Sequence, residues 1–433
     1  MKPGLFSNAW MLLGSSGVTQ VAALAAQILI VRLLTLNDYG VYAGALAVCA
    51  VAEGVAVARS GEISLNRLPA LLHGVSDWPP SLGRVFRWFW REELLFVTGA
   101  FAFVEAVGLV YLLSVDSQMG GAIMVMGLAM WALWCYGVWK SLIIVSADIS
   151  SLSRMEVYAS LSTFTVTVVG VATFGFWGLV VAYSAAAALR NLAALLVSHR
   201  LLRRAQRQRF VLFETEEARR PKHVHSLLGA ALLNLFKNFD LIILSLAASV
   251  ESVAIYKIAK SLANLGGKFF GPFWNSLRPK WLATLYSADG IALFRMTAKA
   301  AGWLGAFAVV AVGFAATFGD DLIPLVYGSN YVAAAPLLLA LLVGECAVHA
   351  LGGWSQLWVV ARGDFAVRNL ILIAVLAGLL LLGIWLDYSA PHRLVYAYVG
   401  MRCLYAASWW VVLAHGTLSP RGRTQIARMD RST

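Results

Sequence analysis

Residues 238–265 read NFDLIILSLAASVESVAIYKIAKSLANL. Two apolar arms meet at a short polar turn, and the second arm carries lysines at regular spacing. Extended outward, the arms cover 226–248 and 253–276. Each reaches the roughly 20 residues that an α-helix needs to cross the hydrocarbon of a bilayer. The rest of the chain repeats this texture. Its 433 residues are 60% hydrophobic and 13% charged, with a mean hydropathy of +0.75. A soluble globular protein carries roughly 25% charged residues. The composition excludes a soluble enzyme, a disordered chain and a secreted disulfide scaffold. It predicts an all-α, multi-pass integral membrane protein.

Twelve apolar spans are expected, near 8–32, 40–60, 94–114, 121–145, 157–175, 177–198, 226–248, 253–276, 296–318, 334–360, 367–386 and 394–415. An even number places both termini on one side. The N-terminus, the even-numbered connections and the tail hold most of the Lys and Arg, including Arg84, Arg87, Arg91, Arg154 and the run from Arg200 to Lys222. The odd-numbered connections hold Arg32, at a span edge, and Arg393. The positive-inside bias therefore puts both termini in the cytoplasm. The same bias explains the net charge of +12 without a nucleic-acid partner, and none is expected. Ala23-Leu24-Ala25 fits a cleavage signature, but Ser15, Ser16, Thr19 and Gln20 interrupt the apolar run, so the first span is expected to be retained. Cys49, Cys135, Cys346 and Cys403 lie in apolar blocks without paired spacing and read as buried free thiols.

The expected organisation is an N-terminal six-helix bundle (1–198), a basic cytoplasmic linker (199–225), a C-terminal six-helix bundle (226–415) and a cytoplasmic tail (416–433). Residues 27–46 match 241–260 faintly, with Tyr42 on Tyr256 and Ala45 on Ala259. Such parallel repeats of a half recur in transporters, with a site between the halves. Two inner segments stand out. Arg84-Val85-Phe86-Arg87-Trp88-Phe89-Trp90-Arg91 fits either an interfacial amphipathic helix or a basic loop with interfacial aromatics. The linker is read either as resting on anionic headgroups or as a plain topology signal.

Ionisable groups inside spans are costly and point to a partner or a wet cavity. On the eighth span Lys257, Lys260, Asn264 and Lys268 share one face. A cavity-lining face is favoured over the alternative, in which the end lysines snorkel to opposite interfaces. The seventh span adds Asn234, Lys237, Asn238 and Asp240. Asp240 suits a structural pair with Lys237 or a neighbouring lysine, the favoured reading, or a cation or proton site. Gln20 and Gln27 on the first span suit helix packing or cavity lining equally. Glu345 and His349, at i and i+4, suit a satisfied buried hydrogen bond, the favoured reading, or a proton relay. Arg190 and Arg402 either point inward or reach an interface. Gly271-Pro272 predicts a kink ending the eighth span. No P-loop, no H-E-x-x-H and no metal-ligand cluster occurs in the sequence, so no cofactor or metal is expected.

Three stretches carry a resemblance: VRLLTLNDYGVYAGALAV (31–48), NFDLIILSLAASVESVAIYKIAKSLANL (238–265) and PLVYGSNYVAAAPLLLALLVGE (324–345). In these the chain resembles the polysaccharide-transporter branch of the multidrug/oligosaccharidyl-lipid/polysaccharide (MOP) superfamily, the Wzx-type lipid-linked oligosaccharide flippases. The resemblance implies two six-helix bundles around a V-shaped central cavity that alternates its opening. It implies movement of a polyprenyl-diphosphate-linked sugar unit of O-antigen, capsule or exopolysaccharide across the bacterial inner membrane. Glycan polymerase and export machinery are the further partners it implies, beside membrane lipids. It also implies that Gln20, Gln27, Lys237, Asp240, Lys257, Lys260, Asn264 and Lys268 face the cavity. The second span departs from a symmetric pattern, carrying Glu53 and no lysine. A drug or small-solute antiporter of the same fold competes with this reading. A membrane glycan polymerase or ligase competes less well, because the outer connections are short; the chain is not expected to be an enzyme.

Overall fold

The computed structural model describes residues 5–73, 82–145, 149–205, 223–268, 270, 273–274, 277, 280–281, 284–285, 289–362, 364–386, 388 and 390–418. Among them all repetitive structure is helical. The chain divides into two compact units, Met1–Ile242 and Ile243–Thr433.

The first unit contains α1 (Leu5–Leu33), α2 (Leu36–His73), α3 (Leu82–Ser114), α4 (Ser117–Ala132), α5 (Tyr136–Val145) and α6 (Ile149–Ala205). Most of α7 (His223–Ala247) also belongs to it. Polar caps start these helices where the apolar runs are interrupted. Thr35 and Asp38 cap α2 reciprocally: the Asp38 amide donates to Thr35 Oγ1 (3.1 Å), and that hydroxyl donates to Asp38 Oδ2 (2.8 Å). Asp116 caps α4 by accepting from the Met119 amide at 2.7 Å. Gln118 then donates to Asp38 Oδ1 (3.2 Å), tying the two turns together. α6 reverses direction at Gly175, whose φ of 59° suits a residue without a Cβ. Close to this reversal its two arms approach so tightly that a Cβ on Gly178 would collide with the Gly170 carbonyl.

The second unit contains α8 (Val250–Lys268), α9 (Gly290–Tyr327), α10 (Ala334–Cys346), α11 (Ser355–Arg362), α12 (Phe365–Leu386) and α13 (Pro391–Leu418). Ser249 caps α8 and Asp289 caps α9, accepting from the Ala292 amide at 2.8 Å. α10 packs on α8, α9 and α13. Its interior face is built from small and medium side chains, as helix packing in lipid favours. On α8, Ala254, Ala259 and Ala263 are fully buried.

Seven stretches among the described residues are long and apolar enough to cross a membrane, or eight with the bent pair α4–α5. Large apolar side chains also lie on the outside, including Phe174, Leu113, Val309 and Trp385. No aqueous surface of a monomer tolerates so much exposed apolar area. The chain is a multi-pass membrane protein.

Several expectations change in detail. The spans expected at 121–145 and 334–360 are not continuous helices. The first bends by 45° between α4 and α5, where Cys135 adopts a φ of 64°. The second passes through a π-helical turn, Ala347–Leu351, before α11. The Arg84–Arg91 run is neither a loop nor a separate element. It forms the first turns of α3, with Val85 and Phe89 buried and Arg87 and Arg91 exposed. α6 stays helical through Ala205, within the segment 199–225 expected as a linker. Cys49, Cys135 and Cys346 are buried free thiols, but Cys403 is exposed. Residues 206–222 of the expected linker (199–225), Gly271-Pro272, and residues 419–433 of the expected tail (416–433) lie outside the described residues.

Candidate functional site

Each unit holds a glutamate–arginine cluster beside its broken span. In the first unit α4 ends at Ala132, and the carbonyls of Ala132 and Trp134 lose their helical partners. Asn191 of α6 supplies replacements, its Nδ2 donating to both (3.0 and 2.8 Å). Irregular backbone at membrane depth requires this kind of internal satisfaction. The preceding residue, Arg190, faces Glu53 of α2, with Nη2 at 2.5 Å from Oε1. Tyr183 donates to the other carboxylate oxygen at 2.9 Å. The Arg190 guanidinium also lies 5.1 Å from the centre of the Tyr136 ring. One carboxylate thus balances one guanidinium, and Gly54 lets the Asn234 carboxamide pack where a Cβ would collide with it.

In the second unit Glu345 sits at the end of α10, just before the π-helical turn. Arg402 of α13 donates from Nη2 to Glu345 Oε2 (2.7 Å) and from Nη1 to the Tyr398 hydroxyl (2.5 Å). His349 Nε2 lies 3.2 Å from the same carboxylate oxygen. Lys260 of α8 is 3% exposed and stands 5.3 Å from the Tyr398 ring centre, close enough to act on Glu345 through space. The His349 carbonyl accepts from Trp274 Nε1 (2.9 Å). Trp354 packs edge-on against Trp358, Trp409 and Trp410, giving the break a rigid wall. Charges taken out of water are costly unless paired and hydrogen-bonded. Within this cluster two basic side chains, Arg402 and Lys260, stand at the Glu345 carboxylate.

The residues singled out in the sequence are distributed as follows. Gln20 donates to Ser16 Oγ at 3.1 Å, and Gln27 to the Tyr39 hydroxyl at 3.4 Å. Both are half-buried local contacts. Asn234 accepts from Asn238 through its carbonyl (3.0 Å). Lys237 is exposed, Asp240 fully buried, and Lys257 and Asn264 half-buried. Asn234, Lys237, Asp240, Lys257 and Lys260 each engage a partner. The side chain of Lys268 lies outside the described residues. Glu345, His349 and Lys260 come together. Arg402 and Tyr398 complete that cluster, and the sequence pattern does not assign them to it. Arg190, for which the sequence allows either an inward or an interfacial position, points inward, and Tyr183, Tyr136 and Asn191 join it. The available signal is positional: Arg190 and Arg402 each fall in the last span of a half. Among the described residues no group of three His, Cys, Asp or Glu could hold a metal ion.

No protein-family model matches the sequence, and no curated protein matches it. Solved structures do match along nearly the whole chain. The lipid II flippase MurJ in an inward closed conformation aligns over 94% of this chain and 90% of its own, with a TM-score of 0.67 at 10% identity. An inward-facing multidrug resistance MATE family transporter of the MOP superfamily aligns over 98% and 99%, with a TM-score of 0.59 at 14% identity. A point mutant of the Vibrio cholerae MATE transporter VcmN aligns over 96% and 99%, with a TM-score of 0.58 at 13% identity. The chain therefore has the all-helical fold that MATE transporters and MurJ share.

Proposed function

We propose that the chain is a transporter that moves a polyprenyl-diphosphate-linked oligosaccharide from the cytoplasmic to the outer leaflet by alternating access. One observation carries the choice of cargo: a lysine, Lys260, is buried beside the Glu345–Arg402 pair, so two basic side chains are held together inside the second unit. A diphosphate head needs such cations in a low-dielectric setting, where charge-assisted hydrogen bonds are strong. Broken spans at matching places of two halves are also where transporters with internal repeats place their substrates. The likeness to a lipid II flippase agrees with a lipid-linked cargo. On this reading Lys257, Lys260, Asn264 and Lys268, with Gln20, Gln27, Asn234, Lys237 and Asp240, grip the head group. Asp240, Glu345 and His349 are the candidates for ion coupling. The membrane is a bacterial inner membrane, with both termini cytoplasmic.

The likeness to multidrug transporters supports a second reading, a drug or small-solute antiporter. A cationic drug would need an uncommitted carboxylate, and Glu53 and Glu345 are both engaged by arginines. Complementation of a strain lacking the protein separates the two. Alanine at Lys257, Lys260 and Lys268 together should lower surface glycan about tenfold or more, equivalent to about 1.4 kcal/mol or more, while membrane insertion persists. Full glycan export by that variant would overturn the residue assignment. Drug hypersensitivity of the deletion strain with unchanged glycan would overturn the cargo.

A further inference from the structure

The two arms of α6, at their ends remote from Gly175, form a small open cleft. Ser151, Arg154 and Tyr158 line it from the first arm at i, i+3 and i+7. Val197, Arg200 and Leu201 line it from the second. Both guanidiniums are exposed, and neither enters an ion pair among the described residues. The carboxylate nearest in sequence, Glu156, is held by Lys140 at 2.7 Å. Among the described residues the cleft therefore keeps two uncompensated positive charges beside the hydroxyls of Ser151 and Tyr158. The first turn of α6 adds the positive end of a helix dipole.

Its surroundings are amphipathic. Leu201 is buried behind it, whereas Leu161, Leu196 and Tyr158 are 44%, 48% and 62% exposed on the outer surface. Arg154 and Arg200 flank the apolar stretches 157–175 and 177–198, which is the depth of lipid headgroups. We propose that this cleft binds the phosphate of an anionic membrane phospholipid. The two arginines hold the phosphodiester, and the acyl chains run along Leu161 and Leu196. A free phosphate gains nothing from the apolar wall. A zwitterionic headgroup brings an ammonium against two guanidiniums. The site rests on the membrane character of the chain and is independent of its cargo.

Native mass spectrometry of the full-length protein, released from detergent after incubation with defined lipids, tests this. The wild type should retain phosphatidylglycerol in preference to phosphatidylcholine. The double variant Arg154→Gln/Arg200→Gln should retain about tenfold less. Arg203→Gln removes the same charge from an exposed position outside the cleft and should retain the wild-type amount. Undiminished phosphatidylglycerol on the double variant would overturn the proposal, as would equal retention of phosphatidylcholine. Displacement of the lipid by equimolar inorganic phosphate would reassign the cleft to a free anion. Displacement by equimolar polyprenyl diphosphate would reassign it to a transported lipid.

Discussion

The two glutamate–arginine clusters solve similar problems at different burial. In the first unit Glu53 and Arg190 neutralise each other, and their side chains keep 22% and 30% exposure. Tyr183 and Tyr136 complete a local latch between α2, α5 and α6. In the second unit Glu345 and Arg402 are only 2% and 4% exposed, and Lys260 is buried with them. A balanced pair is a packing solution whose net contribution is modest. A pair held this deeply costs more to desolvate, and the buried Lys260 beside it adds to that cost.

That difference sets the order of expected effects. Glu345→Gln leaves Arg402 and Lys260 buried without this counter-charge and should cost the most, about 3–5 kcal/mol, read as a lowered unfolding temperature in detergent. Adding Arg402→Gln should restore only part of the loss, because Glu345 also interacts with Lys260 and His349. Glu53→Gln should cost about 1–2 kcal/mol, since its pair is partly exposed. There the addition of Arg190→Gln should restore most of the loss. Equal recovery in the two double variants would break the contrast. The smallest effect is expected from Asn191→Ala, about 1 kcal/mol, for the two carbonyls it leaves at the α4–α5 break. A much larger loss would mean that the break, and not the ion pair, organises the first unit.

Much of the fold is legible in the sequence. Apolar length predicts the helices, because the cost of exposing apolar groups acts on each segment alone. The turn residues Thr35, Asp38, Asp116 and Ser249 fall at helix starts for equally local reasons. The site is less legible. The lysine stripe on the eighth span is visible as a spacing, and so is the Glu345–His349 pair, because i, i+3 and i+4 positions share a helix face. Nothing in that spacing says that Lys260 turns to Tyr398, or that Arg402 approaches Glu345 across 57 residues of sequence. Hydropathy makes the broken spans look continuous because it averages over a window, while the break at Leu133–Cys135 depends on Asn191 arriving from another helix.

By itself the sequence determined that this chain lives in a bilayer, that it is helical, and which few charges fall within its apolar stretches. Those are one-dimensional consequences of the cost of exposing apolar groups to water and charges to lipid. Only the tertiary structure decided which charges meet. Ion pairing depends on distances of a few ångströms between helices remote in sequence, and packing sets those distances. That packing made Glu53 and Arg190 a partly exposed latch and buried Lys260 beside Glu345 and Arg402.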